Sequence, residues 1–147
     1  MEEKILVFKL ANEKYATNIM EVERILPYAN ATKLPECPSF LAGVIDYEDG
    51  VLPILNLKDR FSLESTGDVS KSKIIVVKNQ KGKFGVIVDD VSEVLNVNSE
   101  LQSDIPGNVT TFISKDYMKG LVRTESNIII ILDFNKILTN QESALIF

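Results

Sequence analysis

The chain has 147 residues, a formal net charge of −5 at neutral pH, 45% hydrophobic and 25% charged residues, which suits one folded domain or two small lobes sharing a core. The negative balance argues against a general nucleic-acid binder, which needs a basic footprint to neutralise phosphates. With no histidine and a single cysteine, Ser-His-Asp and Cys-His catalysis, phosphohistidine transfer, zinc sites of the usual Cys and His type and an intramolecular disulfide are excluded.

Along the chain, strand signals dominate. Met1-Glu2-Glu3 is acidic, and the apolar stretch after it is far too short for a signal peptide. Ile5 to Leu10 is rich in β-branched and apolar residues and predicts a strand, turning at Ala11-Asn12-Glu13-Lys14 and returning through Tyr15. Asn18 is placed to cap a short turn carrying Ile19 and Val22 on one side. Leu34-Pro35-Glu36-Cys37-Pro38 reads as a turn with no base beside the cysteine, and Ser39-Phe40-Leu41-Ala42 suits one or two helical turns. Asp49-Gly50 between two apolar runs predicts a hairpin, and Pro53 in the second run predicts an edge position or a bulge. The polar stretch from Leu63 to Ser72 predicts a linker between lobes. Ile74 to Val77 predicts another strand, turning at Asn79-Gln80-Lys81-Gly82 and returning through Phe84. Lysines 71, 73, 78, 81 and 83 read most simply as a solvated hairpin and its approach, the alternative being a nucleic-acid-binding barrel that uses them with Phe84. Ser114 to Lys119 suits one or two helical turns, Glu125-Ser126-Asn127 a second hairpin turn, and Asn140 to Leu145 a short helix or a frayed end. Ile128 to Leu132 is too short to span a bilayer, so a soluble cytoplasmic protein with no membrane insertion is expected.

The chain also repeats itself. Lys14-Tyr15-Ala16-Thr17-Asn18-Ile19-Met20-Glu21-Val22-Glu23-Arg24-Ile25-Leu26 is echoed by Lys83-Phe84-Gly85-Val86-Ile87-Val88-Asp89-Asp90-Val91-Ser92-Glu93-Val94-Leu95. Gly43-Val44-Ile45, a polar turn and Val51 to Leu57 return as Gly120-Leu121-Val122, a polar turn and Ile128 to Phe134. A long unit present twice predicts a pseudo-symmetric pair of lobes, and a groove between lobes is where partners bind. Short strands with frequent turns favour two small barrels in an all-β fold.

Val86-Ile87-Val88-Asp89-Asp90 is similar to the strand and acidic pair that hold magnesium in response-regulator receivers. A receiver needs that pair near the start of its fold, and the repeat sets it against Met20-Glu21, which has no metal-binding character. No pair among the 21 acids is singled out for glycoside hydrolysis. No metal, cofactor or catalytic residue is therefore assigned, and the protein is not read as an enzyme.

Several linked stretches resemble the CheW family, adaptors that couple chemoreceptors to the CheA histidine kinase in bacterial and archaeal chemotaxis. They are Val7-Phe8-Lys9-Leu10 with Tyr15; Val22 followed by Ile25; Leu34-Pro35 leading to Pro38 and Gly43-Val44-Ile45; and Val51 to Leu57. After these come Gly85 to Asp89 with Val91 and Glu93-Val94-Leu95, then Gly120-Leu121-Val122, and Leu132-Asp133-Phe134 with Leu138. The resemblance implies two five-stranded SH3-like barrels around a shared core, with the cytoplasmic tip of a methyl-accepting chemoreceptor in the groove between them. It also implies contact with the regulatory domain of a CheA-type kinase, and recruitment to membrane-associated arrays. Subdomain boundaries of about 12–70, and about 1–11 with 71–147, are expected.

Candidate receptor-binding residues are Val22, Arg24, Ile25, Val44 and Glu48 in one lobe with Val86 and Val88 in the other. Ile105, Pro106, Gly107, Asn108 and Val109, a loop with no counterpart in the repeat, are the candidates for kinase contact. The family turn usually reads Asn-Leu-Arg-Gly, and here it is Asp46-Tyr47-Glu48-Asp49, so the usual arginine falls at Glu48 while the family's glutamate falls at Arg24. Asn56 stands where aspartate is usual. The expectation is that Arg24 and Glu48 pair near the groove as a charge-swapped version of the family's pair. Alternatives are a paralogue serving another array, such as one controlling pilus motility, and a magnesium-dependent phospho-acceptor using Asp89 and Asp90.

Overall fold

Apolar β-branched runs interrupted by short polar turns leave this chain little choice but strands. The structure, a computed structural model, describes residues 2–36, 38–61, 63, 69–79, 82–98, 102–103, 117–124 and 128–138. Strands β1 (Glu2–Leu10) and β2 (Glu13–Asn18) form a hairpin. Its two-residue loop holds Ala11 and Asn12 at φ of 49° and 69°, the primed type of turn whose twist matches that of the strands. Asn18 Oδ1 accepts from the Met20 N–H at 2.9 Å and starts the expected short turn, a 3-10 turn over Ile19–Glu21, before β3 (Val22–Pro27). A second hairpin follows, β4 (Leu41–Tyr47) with β5 (Gly50–Asn56). The helical turn α1 (Leu57–Arg60) is capped by Asn56, whose Oδ1 accepts from the Lys58 and Asp59 N–H groups. After a 3-10 turn at Val69–Lys71 come β6 (Lys73–Lys78), β7 (Lys83–Val88), β8 (Asp90–Asn98), β9 (Gln102–Ser103), β10 (Met118–Arg123) and β11 (Ile128–Leu132).

The strands form one six-stranded sheet, β8-β1-β2-β11-β10-β9, and one five-stranded sheet, β3-β6-β7-β5-β4. Exchange each strand of the smaller sheet for its repeat partner and the order becomes β8-β1-β2-β11-β10, the first five strands of the larger. The irregularities repeat as well. Register slips between Val22 and Arg24 in β3 and between Val91 and Glu93 in β8, and again between Leu41 and Gly43 in β4 and between Met118 and Gly120 in β10. The single parallel pairing of each sheet has the same register, Ile54 opposite Gly85 and Ile131 opposite Ala16. Two copies of one unit therefore build the molecule, as the echo predicts.

Each sheet nevertheless draws on both copies. The hairpin β6–β7 lies among β3, β4 and β5, and β1–β2 lies among β8, β10 and β11. The expected division at about 12–70 does not follow the sheets, because β2 belongs to the larger and β6 and β7 to the smaller. After β2 only three residues of 3-10 turn separate it from β3, and that turn carries the chain across the junction. Three local expectations also shift. Ser39-Phe40 is a turn and Leu41-Ala42 already belongs to β4. Pro53 sits on β5, an interior strand, opposite Val44 and just before the stretch that pairs with β7, so its missing N–H interrupts no β5–β7 bond. Gly50 pairs with Tyr47, so the hairpin loop is Glu48-Asp49, with Glu48 at φ 53°. The turn at 125–127 and the segments 114–116 and 140–145 lie outside the described residues.

Burial explains why the strands are apolar without alternation. On β1, Leu6 and Phe8 enter a cluster with Phe84, Val86 and Val88 of β7, Ile75 and Val77 of β6, and Leu132 and Phe134, which joins the two sheets. The intervening Ile5 and Val7 point instead into a cluster of the larger sheet with Ala16, Val122, Ile129 and Ile131. On β6 the same split sends Ile74 and Val76 to a cluster with Leu52 and Ile54. Successive side chains alternate between faces, and both faces are buried. Asp89 pins the junction: its Oδ1 lies 2.5 Å from Lys58 Nζ on α1, its Oδ2 accepts from the Ala11 N–H at 2.8 Å, and its own N–H donates to the Lys9 carbonyl at 2.9 Å.

Candidate functional site

The surface feature with the most chemistry lies where the smaller sheet curls back on itself. Strands β3 and β4 are its two edges, yet no backbone pairing joins them among the described residues; side chains close the gap. Tyr47 Oη of β4 donates to Glu23 Oε2 of β3 at 2.6 Å, and the Arg24 guanidinium carbon stands 5.5 Å from the Tyr47 ring centroid, a cation–π distance. Lys83, the first residue of β7, lies 2.8 Å from Glu23 Oε1 and 3.9 Å from Glu48 Oε1. The Lys83 ammonium and then the Tyr47 hydroxyl hold the Glu23 carboxyl below its ordinary range. Glu23 in turn pushes the Lys83 ammonium up. The Tyr47 phenol is raised, first by loss of water and then by its hydrogen bond to Glu23.

A groove of about 640 Å³ opens beside this cluster, with Leu34, Val44, Tyr47, Val51 and Pro53 among its apolar walls and Glu48, Asp49 and Lys83 on its rim. Leu34 is 43% exposed and Val51 66%, so apolar surface faces solvent at the hairpin. The β3 edge adds Ile25, which is 42% exposed.

The candidate receptor-binding residues divide into three groups. Val44 and Glu48 line the groove, and Arg24 reaches it through Tyr47. Val22 is half-buried against the core shared by the sheets, and Ile25 stands exposed on the same strand. Val86 and Val88 are fully buried: on β7 their faces fill the junction, so they present no surface to a partner, and their assignment as contact residues is corrected. The loop from Ile105 to Val109 lies outside the described residues.

The expected Arg24–Glu48 pair is also corrected. Among the described residues no ion pair joins them; Tyr47 takes the guanidinium, and Lys83 stands nearest Glu48. Sequence patterns do not bring Glu23, Tyr47 and Lys83 together: Lys83 stands out only in the lysine cluster, Tyr47 only in the family turn, and Glu23 in neither. Their meeting depends on the bulge at Glu23 and on the closing of β3 against β4, which no local pattern encodes.

Nor do Asp89 and Asp90 form a magnesium cradle. Asp89 is occupied by Lys58 and the Ala11 amide, and Asp90 Oδ1 accepts from the Val91 N–H. Among the described residues no three metal-ligating side chains cluster, and two mainly antiparallel sheets are not the doubly wound fold of a receiver.

Comparison with known proteins agrees with this architecture. Residues 4–142 match the family model described as a CheW-like domain. The Chemotaxis protein CheW of Klebsiella aerogenes is 28% identical over 98% of this chain and 86% of its own length. That of Treponema pallidum is 29% identical over 95% and 84%, and that of Thermotoga maritima 30% over 93% and 88%. The crystal structure of the scaffolding protein TtCheW from Thermoanaerobacter tengcongensis superimposes with a TM-score of 0.89 at 32% identity, covering 99% of this chain and 94% of that one.

Proposed function

The chain belongs to the CheW-like domain family, and from that premise we propose that it is a non-catalytic chemotaxis adaptor coupling chemoreceptor tips to a CheA-type histidine kinase. The observation that carries the reading is the apolar groove at the β4–β5 hairpin, walled by Leu34, Val44 and Val51 and rimmed by charge. Exposed apolar surface ringed by polar groups is the anatomy of a protein–protein contact. The work is mechanical: one surface holds a receptor tip, another holds the kinase, and the rigid body between them fixes their spacing. The chain's lack of histidine fits a partner of the kinase, since it cannot itself carry a phosphohistidine. In this reading the adaptor works in the cytoplasm, gathered to membrane-associated arrays by its receptors.

Receptor contact is assigned to Val44 and Glu48 with Arg24, Ile25 and Val22 beside them, and kinase contact to the loop from Ile105 to Val109. The test is reconstitution of receptor tips, kinase and adaptor from the same cell, reading co-sedimentation and ATP-dependent kinase phosphorylation. Omission of the adaptor should abolish receptor control of the kinase; unchanged control would refute the proposal. Val109→Asp should weaken kinase binding with the fold intact, and unchanged binding would remove that loop from the interface. A second reading, a paralogue serving a different array such as one for pilus motility, is favoured by the opposite charges at Arg24 and Glu48. Co-purification from the native cell separates the two by the identity of the kinase recovered.

A further inference from the structure

The groove at the β4–β5 hairpin carries a charge pattern that says what fills it. Its walls are apolar, with Leu34, Val44, Val51 and Pro53, and its rim at the hairpin tip holds Glu48 and Asp49, both exposed. Two of the nearby cations are already engaged. Lys83 is held at 2.8 Å by Glu23, and Arg24 lies over Tyr47. Glu48 lies 3.9 Å from Lys83 across an exposed rim, where such a contact contributes little. Among the described residues no ion pair reaches Asp49. The rim therefore presents two exposed carboxylates, Glu48 only weakly offset by Lys83, above exposed apolar surface.

The rim charge is only partly shared by the two copies of the repeat: Glu48 has an acidic counterpart in Glu125, whereas Asp49 stands where the other copy has Ser126. In the other copy of the repeat, β10 carries exposed Arg123 where β4 carries exposed Asp46. Val51 and its counterpart Ile128 are both exposed, at 66% and 56%. Both copies thus keep an exposed apolar residue at this place, while the second carboxylate of the rim, Asp49, belongs to the β4–β5 hairpin alone.

We propose that the β4–β5 groove selects a receptor segment presenting an apolar side chain flanked by lysine or arginine, with Glu48 and Asp49 as the specificity-determining residues. This rests on the adaptor reading above. A cation next to an apolar side chain satisfies both halves of the groove, whereas an acid there meets two carboxylates, and like charges opposed across an interface suppress a wrong partner.

The experiment measures binding of the full chain to the signalling-tip fragment of a chemoreceptor from the same cell, by titration calorimetry at low and high salt. Glu48→Lys with Asp49→Lys should weaken binding about ten-fold or more and flatten its salt dependence. Val51→Ser should also weaken binding, with salt dependence retained. Glu93→Lys, an exposed charge reversal on the other sheet, should leave it within about two-fold. A tip in which the facing lysine or arginine is replaced by glutamate should regain affinity for the charge-reversed adaptor. Circular dichroism of each variant checks the fold, which exposed positions leave intact. If the wild-type chain binds the tip and the charge reversal changes nothing, the inference is overturned and the adaptor reading stands. If the wild-type chain binds no tip, both are overturned. If the reversal instead abolishes self-association seen by sedimentation, the occupant is a second copy of this chain and the inference is again overturned.

Discussion

At the scale of single residues, two carboxylates show how position decides role. Asp89 belongs to a sequence that reads as a metal-binding acid pair, but its oxygens are taken by Lys58 and the Ala11 N–H. Removing it strips an ion pair from a lysine that is only 8% exposed, so Asp89→Ala should destabilise the protein by about 2–4 kcal/mol in urea unfolding. Asp89→Asn, which still accepts from Ala11, should cost less. Glu23 behaves differently, being half-buried at the surface and held by Lys83 and Tyr47. Its lowered carboxyl pKa means that its contribution to stability is present above the ordinary carboxylate pKa of about 4.3 and is lost as pH falls through the lowered value. Glu21 runs the other way: burial raises its pKa more than the Thr17 hydroxyl lowers it, so it opposes folding as pH rises through the carboxylate range. NMR titration should find Glu23 below the ordinary midpoint. Lys83→Met should return it most of the way, and Tyr47→Phe less. Sequence patterns show that Asp89 matters but mistake the kind of role, because the partners lie far along the chain.

Among the elements, the hairpins were legible and their details were not. Turn residues between apolar runs mark β1–β2, β4–β5 and β6–β7 correctly, since the signal is local. The Asp-Gly signal puts the glycine in the wrong place by one residue: Gly50 has open space and Glu48 takes the left-handed backbone. The bulges were invisible, yet one explains the repeated glycine of β4. Gly43 sits at the register slip with φ of 143°, and a Cβ there would lie 2.3 Å from the Thr32 carbonyl oxygen, part of the Thr32–Val44 bridge. That neighbour is backbone and cannot rotate away. Gly43→Ala should therefore destabilise by about 2–3 kcal/mol and raise amide exchange at Thr32 and Val44. A Cβ on Gly85 meets the Ile54 Cδ1 and Ile74 Cγ2 methyls at 2.7 and 2.8 Å, side-chain atoms that can partly yield, so Gly85→Ala should cost nearer about 1–2 kcal/mol. Equal costs would show that backbone crowding is not what fixes the glycine in β4.

On the scale of the whole molecule, the echo in the sequence foretold two equivalent lobes, and the matching strand orders and register slips agree with it. What the echo could not convey is that the copies trade strands, because periodicity reports similarity and not adjacency. Each sheet joins a hairpin from one copy to strands of the other, three in the smaller sheet and four in the larger. Residues 1–70 alone should then lack the near-ultraviolet dichroism and exchange protection of the intact chain. Mixing that fragment with residues 71–147 should restore both, and a fragment 1–70 that folds alone with a native spectrum would contradict the exchange. The same feature has a consequence during synthesis. When the first half has left the ribosome, β3 and the β4–β5 hairpin still lack β6 and β7, which have yet to be translated. The nascent chain must carry unpaired strand edges and the apolar side chains of β1 until the second half emerges. Slow elongation through residues 70–90 would prolong that exposure, so the codon tempo of this stretch should govern how much of the protein escapes aggregation in the cell.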